Sequence, residues 1–216
     1  YTPATAEELS VALHATQPDL AVAVAYGRLI TGDNLTLPTH GWWNNHFSLL
    51  PQWRGATPVQ HSILHGDPNS GVTIFRMDEG LDTGPIIATA PYTPLLIDTA
   101  GDQLQKMTVL GASLLIETLE NFTTLKETEQ VGTPSFAPKF TRADGQIDWT
   151  NSADVIDRRV RALTPEPGTY GYLRSGKQLG IVRAYPYLGS CAFSPGEVGV
   201  IEKKVVVGTG NGGLVL

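Results

Sequence analysis

The chain of 216 residues carries 21 acidic and 15 basic side chains, a net charge of −6, and 41% hydrophobic residues. This composition is typical of a globular protein and excludes a largely disordered chain, and no apolar run reaches the roughly 18 residues of a membrane span. The lone cysteine, Cys191, excludes an internal disulfide and is either a small apolar side chain or a nucleophile. We expect a cytoplasmic protein, without a membrane partner, that is a monomer.

The charge is unevenly distributed along the chain. Residues 1–134 hold five basic and fourteen acidic side chains, a net charge of −9, whereas residues 135–216 hold ten basic and seven acidic ones, a net charge of +3. A mildly basic second half favours contact with an anionic partner, although a charge of this size is also common in proteins without one.

The first part of the chain is predicted to alternate helices and strands. Residues 4–16 follow the pattern of an amphipathic helix with a threonine cap, and the apolar run 19–26 predicts a strand buried on both faces, as in a parallel sheet. Further strands are predicted at 41–47, 70–77 and 84–92, and further helices at 57–66, capped by Thr57, and at 98–121. This order predicts an α/β domain over residues 1–122.

The second part of the chain has a different pattern. Residues 123–143 contain prolines and little periodicity, which predicts a linker. Residues 146–149 predict a short strand and residues 152–163 a basic helix, followed by short strands with Gly and Pro between them, as in a small β-barrel over 144–216. A doubly wound sheet normally begins with a strand, and this chain begins with a predicted helix and ends in mid-pattern. We therefore expect a fragment that lacks both termini.

Three polar residues form the strongest candidate for a catalytic site. Asn44 and His46 are two apart on a predicted strand, so their side chains share one face near its carboxyl end. Asp82 lies in a glycine-flanked turn after a later strand, and beside His46 it would fix the histidine tautomer and raise its pKa. This set fits transfer of an acyl-type group to an amine. Asn44 and His46 would donate to the oxyanion and Asp82 would help to remove a proton, without a protein nucleophile or a metal.

Each of these residues also has a simpler interpretation, since a histidine on a strand face is commonly structural and an aspartate in LDTG commonly forms a turn. Their joint pattern is more specific. The segment N-x-H-x-S-L-L-P-x-x-R-G-x-x-P at 44–58, followed by M-D-x-G-L-D-T-G-P at 77–85, resembles the folate-dependent formyltransferases, and among them the methionyl-tRNA branch most. APKFTRADGQIDW, RRVRALTPEPGTY and PGEVGVIEKKVVVGTGNGGLVL resemble the C-terminal domain of that branch.

The resemblance implies a Rossmann-like domain followed by a small OB-like β-barrel. It implies that Asn44, His46 and Asp82 are catalytic, that 10-formyltetrahydrofolate is the formyl donor and that methionyl-initiator tRNA is the acceptor. The residues that it assigns to the folate site are Ser48, Leu49, Leu50, Pro51, Arg28, Leu29, Ile30, Asp78, Glu79, Gly80 and Leu81.

The basic residues have less specific assignments. Arg54 is either structural or faces the tRNA. In the second domain the candidates for phosphate contacts are Arg158, Arg159, Arg161, Lys203 and Lys204, with a solvated helix face as the alternative for the three arginines. Other functions also remain open. These are a sister enzyme that formylates an amino sugar or hydrolyses formyltetrahydrofolate, and a non-catalytic folate-binding or RNA-binding remnant.

Overall fold

The computed structural model describes residues 3–216, so the first two residues of the predicted domain 1–122 lie outside it. The helices are α1 (Ala6–Thr16), α2 (Asp33–Thr36), α3 (Pro58–His65), α4 (Ala100–Glu120) and α5 (Ala153–Ala162). The strands are β1 (Ala21–Ala23), β2 (Trp42–His46), β3 (Arg54–Gly55), β4 (Ser70–Arg76), β5 (Ile86–Tyr92), β6 (Phe136–Ala137), β7 (Thr169–Tyr172), β8 (Gln178–Ile181), β9 (Tyr185–Tyr187), β10 (Val198–Ile201), β11 (Lys204–Gly208) and β12 (Gly213–Val215). No helix within 3–216 is long and apolar enough to cross a membrane.

The chain forms two compact units that are not contiguous in sequence. The first unit contains the residues up to Pro58, Asn69–Thr93 and Gln105–Pro138. The second unit contains Val59–Pro68, Pro94–Leu104 and Lys139–Leu216. The predicted class, an α/β part followed by a β-rich part, is confirmed by the order of the elements.

The first helix and strand show how local sequence sets element ends. Thr5 caps α1, because its hydroxyl accepts a hydrogen bond from the Glu8 amide at 3.1 Å, as the sequence predicts. The strand predicted at 19–26 forms only over β1, since Ala25 and Gly27 adopt φ angles of 49° and 71° that end the extended conformation.

The main sheet of the first unit has the order β1-β2-β4-β5. Only β1 and β2 are parallel, whereas β2 with β4 and β4 with β5 are antiparallel. The parallel sheet expected from the apolar run is therefore wrong beyond one strand pair. The β4 and β5 strands follow each other through a short turn, and a connection of that length allows only antiparallel pairing.

Strand β2 presents its two faces to different surroundings. On one face, Trp42 packs with Ala23 and Ile30 in an apolar cluster beside α1. On the other, Asn45 lies against Gly111 of α4, where an added Cβ atom would be 2.6 Å from the Asn45 amide nitrogen. Since side chains alternate along a strand, the predicted catalytic residues of β2 lie on the face opposite α4.

The predicted linker at 123–143 contains structure that joins it to the first unit. Strand β6 within it pairs in parallel with β3. The Thr57 hydroxyl, which the sequence predicts to cap α3, donates to the Pro138 carbonyl at 2.7 Å. Helix α3 begins at Pro58, which suits proline because the first helical residue needs no amide proton.

In the second unit, α5 packs on the β-strands. Ile156 and Val160 from the helix share an apolar cluster with Ile181 and Leu214. The strands pair as an antiparallel sheet of order β10-β11-β12-β9 and a β7-β8 hairpin. Among the described strands these pairings do not close into the expected barrel. The strand predicted at 146–149 is also wrong, because only a single bridge forms there, between Gln146 and Tyr170.

Candidate active site

His46 ends β2 in a buried position, with 5% of its surface exposed. Its Nε2 atom donates a hydrogen bond to the Trp53 carbonyl over 3.0 Å. Because a carbonyl oxygen only accepts, this contact requires the proton of a neutral ring to lie on Nε2. The Nδ1 lone pair of neutral His46 is then left facing the rest of the site.

Asp82 lies beside this histidine. Its Oδ2 atom is 3.7 Å from His46 Nδ1 and accepts a hydrogen bond from the Gly55 amide at 2.7 Å. The structure therefore brings the two predicted side chains together. However, the tautomer of neutral His46 is fixed by the Trp53 carbonyl, and not by Asp82 as predicted from the sequence. The φ angle of Asp82 is 53°, a left-handed conformation that is costly outside glycine and concentrates at functional sites.

The electrostatics of His46 also differ from the sequence expectation. Burial lowers its pKa below the ordinary value and is the largest effect, while the Asp82 carboxylate and the hydrogen bond to Trp53 raise it. As the sequence predicts, Asp82 raises the pKa of His46, but the desolvation of the buried ring lowers it by more. The resting imidazole is consequently neutral at neutral pH.

The turn that carries Asp82 is fixed by its own side chains. Asp78 Oδ1 accepts hydrogen bonds from the Gly80 amide at 3.0 Å and from the Thr83 hydroxyl at 2.6 Å. A Cβ atom at Gly84 would collide with the Arg76 carbonyl, so only glycine allows this close approach of the chain. The sequence D-x-G-L-D-T-G thus encodes a defined turn rather than a flexible loop.

Hydrogen bonds stabilise the SLLP turn at residues 48–51. The Ser48 hydroxyl donates to the Gln52 carbonyl at 2.5 Å, and the Thr73 hydroxyl donates to the Ser48 carbonyl at 2.6 Å. Ser48 and Leu50 are 1% and 6% exposed, and Pro51 is buried. The geometry places these predicted folate residues in support of the turn, with their side chains packed inside the protein.

The other predicted folate residues have a different environment. Leu29 and Leu81 are 71% and 48% exposed, and Arg28, Asp78, Glu79 and Gly80 are exposed as well. Ile30 is buried in the apolar cluster around Trp42, against which Met77 also packs. Each loop therefore contributes one side chain, Ile30 or Met77, to the same apolar cluster and leaves one leucine, Leu29 or Leu81, exposed to solvent.

Arg54 has a clear partner in the structure. Its Nε and Nη2 atoms donate to Gln130 Oε1 at 3.1 and 2.7 Å. Gln130 Nε2 donates in turn to the carbonyls of Asp82 and Gly84 at 2.8 and 2.9 Å. These contacts favour the structural alternative for Arg54. Gln130 was not predicted from the sequence, since a glutamine in a proline-containing segment without periodicity carries no signal of its own.

The predicted tRNA residues separate into two groups. The three arginines of α5 are half-buried, and each donates to an oxygen of the second unit. The acceptors are the Leu64 carbonyl for Arg158 at 3.2 Å, the Asp144 carbonyl for Arg159 at 2.6 Å and the Asp157 carboxylate for Arg161 at 2.9 Å. Each of these three guanidinium groups therefore has a hydrogen-bond partner within the second unit.

Lys203 and Lys204 are exposed at the tip of the β10-β11 hairpin. Glu202 and Lys203 adopt φ angles of 49° and 65°, as in the tight turn with two left-handed residues that matches the twist of the paired strands. These two lysines are the predicted phosphate contacts that the structure leaves facing solvent.

Comparison with known proteins agrees with this architecture. The profile of the family described as Formyl transferase matches residues 2–119, and the one described as Formyl transferase, C-terminal domain, matches residues 139–216. A methionyl-tRNA formyltransferase of Corynebacterium diphtheriae is 43% identical over 90% of this chain and 62% of its own length. Its counterpart from Corynebacterium efficiens is 45% identical over 90% of this chain and 63% of its own length. The chain thus spans somewhat less than two thirds of these relatives.

Solved structures share the fold at lower identity. HypX from Aquifex aeolicus, in complex with tetrahydrofolic acid, has a TM-score of 0.75 at 23% identity, covering 98% of this chain and 37% of that protein. The sugar 3N-formyl transferase WlaRD has a TM-score of 0.71 at 20% identity, covering 90% of this chain and 70% of its own. With two family profiles that together match most of its residues, the chain belongs to the formyl transferase family.

Proposed function

We propose that this chain carries the catalytic centre of an enzyme that transfers the formyl group of 10-formyltetrahydrofolate to the amino group of methionyl-initiator tRNA. The observation that carries the proposal is the buried His46–Asp82 pair, with Asn44 on the same strand face as the histidine. The relatives that are 43% to 45% identical bear the name of that activity.

The state of His46 defines its role in the reaction. With Nε2 donating to the Trp53 carbonyl, neutral His46 offers the Nδ1 lone pair to the substrate amine. As the amine nitrogen bonds to the formyl carbon, Nδ1 accepts the amine proton. The imidazolium that forms lies 3.7 Å from the Asp82 carboxylate, which stabilises it.

Asn44 stabilises the charge that develops on the other side of the reacting carbon. Its amide group donates a hydrogen bond to the formyl oxygen, which is an oxyanion while the carbon has four substituents. The imidazolium of His46 then returns its proton to the leaving nitrogen of the folate as the old carbon–nitrogen bond breaks. His46 is neutral again at the end, so protons and electron pairs balance over the cycle.

The donor is assigned to the loops at 28–30 and 78–81. Exposed Leu29 and Leu81 offer apolar surface for a flat pterin ring, and the exposed backbone of Asp78–Leu81 offers hydrogen bonds to its polar edge. The turn from Ser48 to Pro51, which hydrogen bonds of Ser48 hold in place, is assigned to the same donor site. The bound folate supplies the formyl group, and the chain supplies orientation and the proton acceptor.

For the acceptor we propose contacts from the second unit. Lys203 and Lys204 are exposed and positively charged, so they suit tRNA phosphates. Arg158, Arg159 and Arg161 are held by oxygens of their own unit and are assigned a structural role.

The test is a transfer assay with the full-length protein. Formyl transfer from 10-formyltetrahydrofolate is measured to methionyl-tRNA, to an amino-sugar nucleotide and to water. We expect transfer to methionyl-tRNA that His46→Gln reduces, by roughly 10² to 10⁴-fold for loss of a general base. Transfer to the sugar, or hydrolysis alone, would assign the chain to a sister activity. Turnover that His46→Gln leaves unchanged would refute the site.

A further inference from the structure

The segment from Thr128 to Pro138 lies outside both family profiles, which end at residue 119 and resume at 139. It nevertheless runs along the candidate active site. Thr128 exchanges two backbone hydrogen bonds with Ile86, at 2.7 and 2.9 Å. Ser135 accepts hydrogen bonds from the amides of Trp53 and Arg54, at 2.8 and 2.9 Å. The segment is therefore bonded to the first residue of β5, just after the turn that carries Asp82, and to Trp53 and Arg54, just after the SLLP turn.

Three consecutive residues, Trp53 and the two residues of β3, bind three different parts of the site. The Trp53 carbonyl accepts from His46, the Arg54 guanidinium donates to Gln130, and the Gly55 amide donates to the Asp82 carboxylate. Gln130 in turn donates two hydrogen bonds to the turn that carries Asp82, so that these contacts form a closed ring. The His46–Asp82 distance is thus set by a ring of contacts that includes Gln130.

The donor and acceptor types in this ring fit only one arrangement of the glutamine amide. Arg54 can only donate and the two carbonyls can only accept, so Oε1 must face Arg54 and Nε2 must face Asp82 and Gly84. The carbonyls belong to a turn in which Asp82 has a φ angle of 53°. Such a conformation persists only where the surroundings hold it.

We propose that Gln130 is a positioning residue, which with Arg54 holds the Asp82 carboxylate towards His46 for the transfer reaction. The inference rests on the proposed function for its kinetic consequence. Its structural content, that Gln130 sets the interaction between His46 and Asp82, can be tested without any substrate.

The test uses Gln130→Met in the full-length protein, which keeps the length of the side chain and removes its donors and acceptor without adding charge. The pKa of His46 is followed by a pH titration of its ring signal in NMR, assigned by its loss in His46→Gln. We expect the pKa of His46 to fall in Gln130→Met, because the carboxylate that raises it is no longer held nearby. The matched control, Gln105→Met at an exposed position of α4, leaves it unchanged.

The kinetic arm measures kcat and KM for the formyl donor. We expect kcat of Gln130→Met to fall about 10- to 100-fold with KM within about twofold, as for lost support of a catalytic group. An unchanged pKa of His46 together with a kcat that follows only the folded fraction would overturn the proposal. If Gln130→Met does not fold, Gln130→Asn, which keeps the amide but is one methylene too short, is read by the same criteria.

The two arms separate this inference from the proposed function. A wild-type protein that transfers no formyl group to methionyl-tRNA contradicts the proposed function, while the NMR comparison still decides on Gln130. A wild-type protein that is active, with the pKa of His46 identical in Gln130→Met, contradicts the inference alone.

Discussion

His46 and Asp82 face each other at 3.7 Å between Nδ1 and Oδ2, and the backbone of residues 53–55 holds both of them. The Trp53 carbonyl binds the far side of the imidazole, and the Gly55 amide binds the carboxylate. This arrangement leaves a buried neutral imidazole with its free lone pair beside a carboxylate. Such a pair is suited to accept a proton during the reaction and to release it afterwards.

The first prediction concerns the carboxylate. Asp82→Asn keeps an oxygen for the Gly55 amide but removes the charge that stabilises the imidazolium, so we expect kcat to fall roughly 10² to 10⁴-fold, the range for general acid–base catalysis. Steady-state kinetics measure the effect and thermal unfolding checks the fold. Asp19→Asn, at an exposed position, is the control. An Asp82→Asn enzyme with the control's activity contradicts the proposed role.

The second prediction concerns Asn44. Its replacement by alanine removes a donor to the oxyanion, and we expect kcat to fall about 10² to 10³-fold while KM changes little, because the interaction forms mainly in the transition state. Asn69→Ala, at an exposed position, is the matched control. A rise in KM with unchanged kcat would instead place Asn44 in ground-state binding.

The third prediction concerns stability and pH. Because the pKa of His46 is lowered in the folded protein, the unfolded chain takes up the proton first as pH falls. The stability that buried, neutral His46 contributes is fully present above the ordinary histidine pKa of about 6.5. It is lost as the pH falls below that value towards the lower pKa of His46 in the folded protein. Urea unfolding between about pH 5 and about pH 8 measures this loss.

His46→Gln is the comparison for that experiment, because its amide nitrogen can still donate to the Trp53 carbonyl. We expect the free energy of unfolding to decrease less steeply with acidification in the variant than in the wild type. Equal slopes below pH 6.5, the ordinary pKa of histidine, would show that the folded and unfolded forms of His46 titrate alike.

The fourth prediction separates binding from stability among the basic residues. Lys203→Ser and Lys204→Ser should weaken tRNA binding and each reduce the salt dependence of log K by about one unit, since the proposed interface pairs each lysine with one phosphate. Their free energy of unfolding should stay within about 0.5 kcal/mol of wild type, as for exposed sites. Filter binding at several salt concentrations and urea unfolding measure the two quantities.

Arg161→Met is expected to lower the free energy of unfolding and to leave the salt dependence of tRNA binding unchanged. Both Arg161 and its partner Asp157 are largely shielded, with side-chain exposures of 15% and 14%, and burial already raises the pKa of Asp157. Removing the guanidinium leaves this carboxylate unpaired, which should lower the free energy of unfolding by roughly 1–3 kcal/mol. If Arg161→Met reduced the salt dependence of log K for tRNA binding as much as the lysine variants do, Arg161 would belong to the tRNA interface.

Some features of the fold follow from short-range sequence rules. The Thr5 cap, the start of α3 at Pro58 and the extent of α4 are set by residues within one helical turn, and the sequence predicts them correctly or within a residue or two. The direction of strand pairing depends on distant segments. The parallel sheet predicted from the apolar run at 19–26 is therefore wrong for the β2–β4 and β4–β5 pairs.

The sequence by itself was sufficient to name the three residues of the candidate site. Alternation along a strand places Asn44 and His46 on one face, and a glycine-flanked turn supplies Asp82, so residue type and local spacing suffice to name them. Only the tertiary structure decided how the site is held. The tautomer of His46, its lowered pKa and the role of Gln130, which binds Asp82 from 48 residues away, depend on hydrogen bonds and burial that no local pattern encodes.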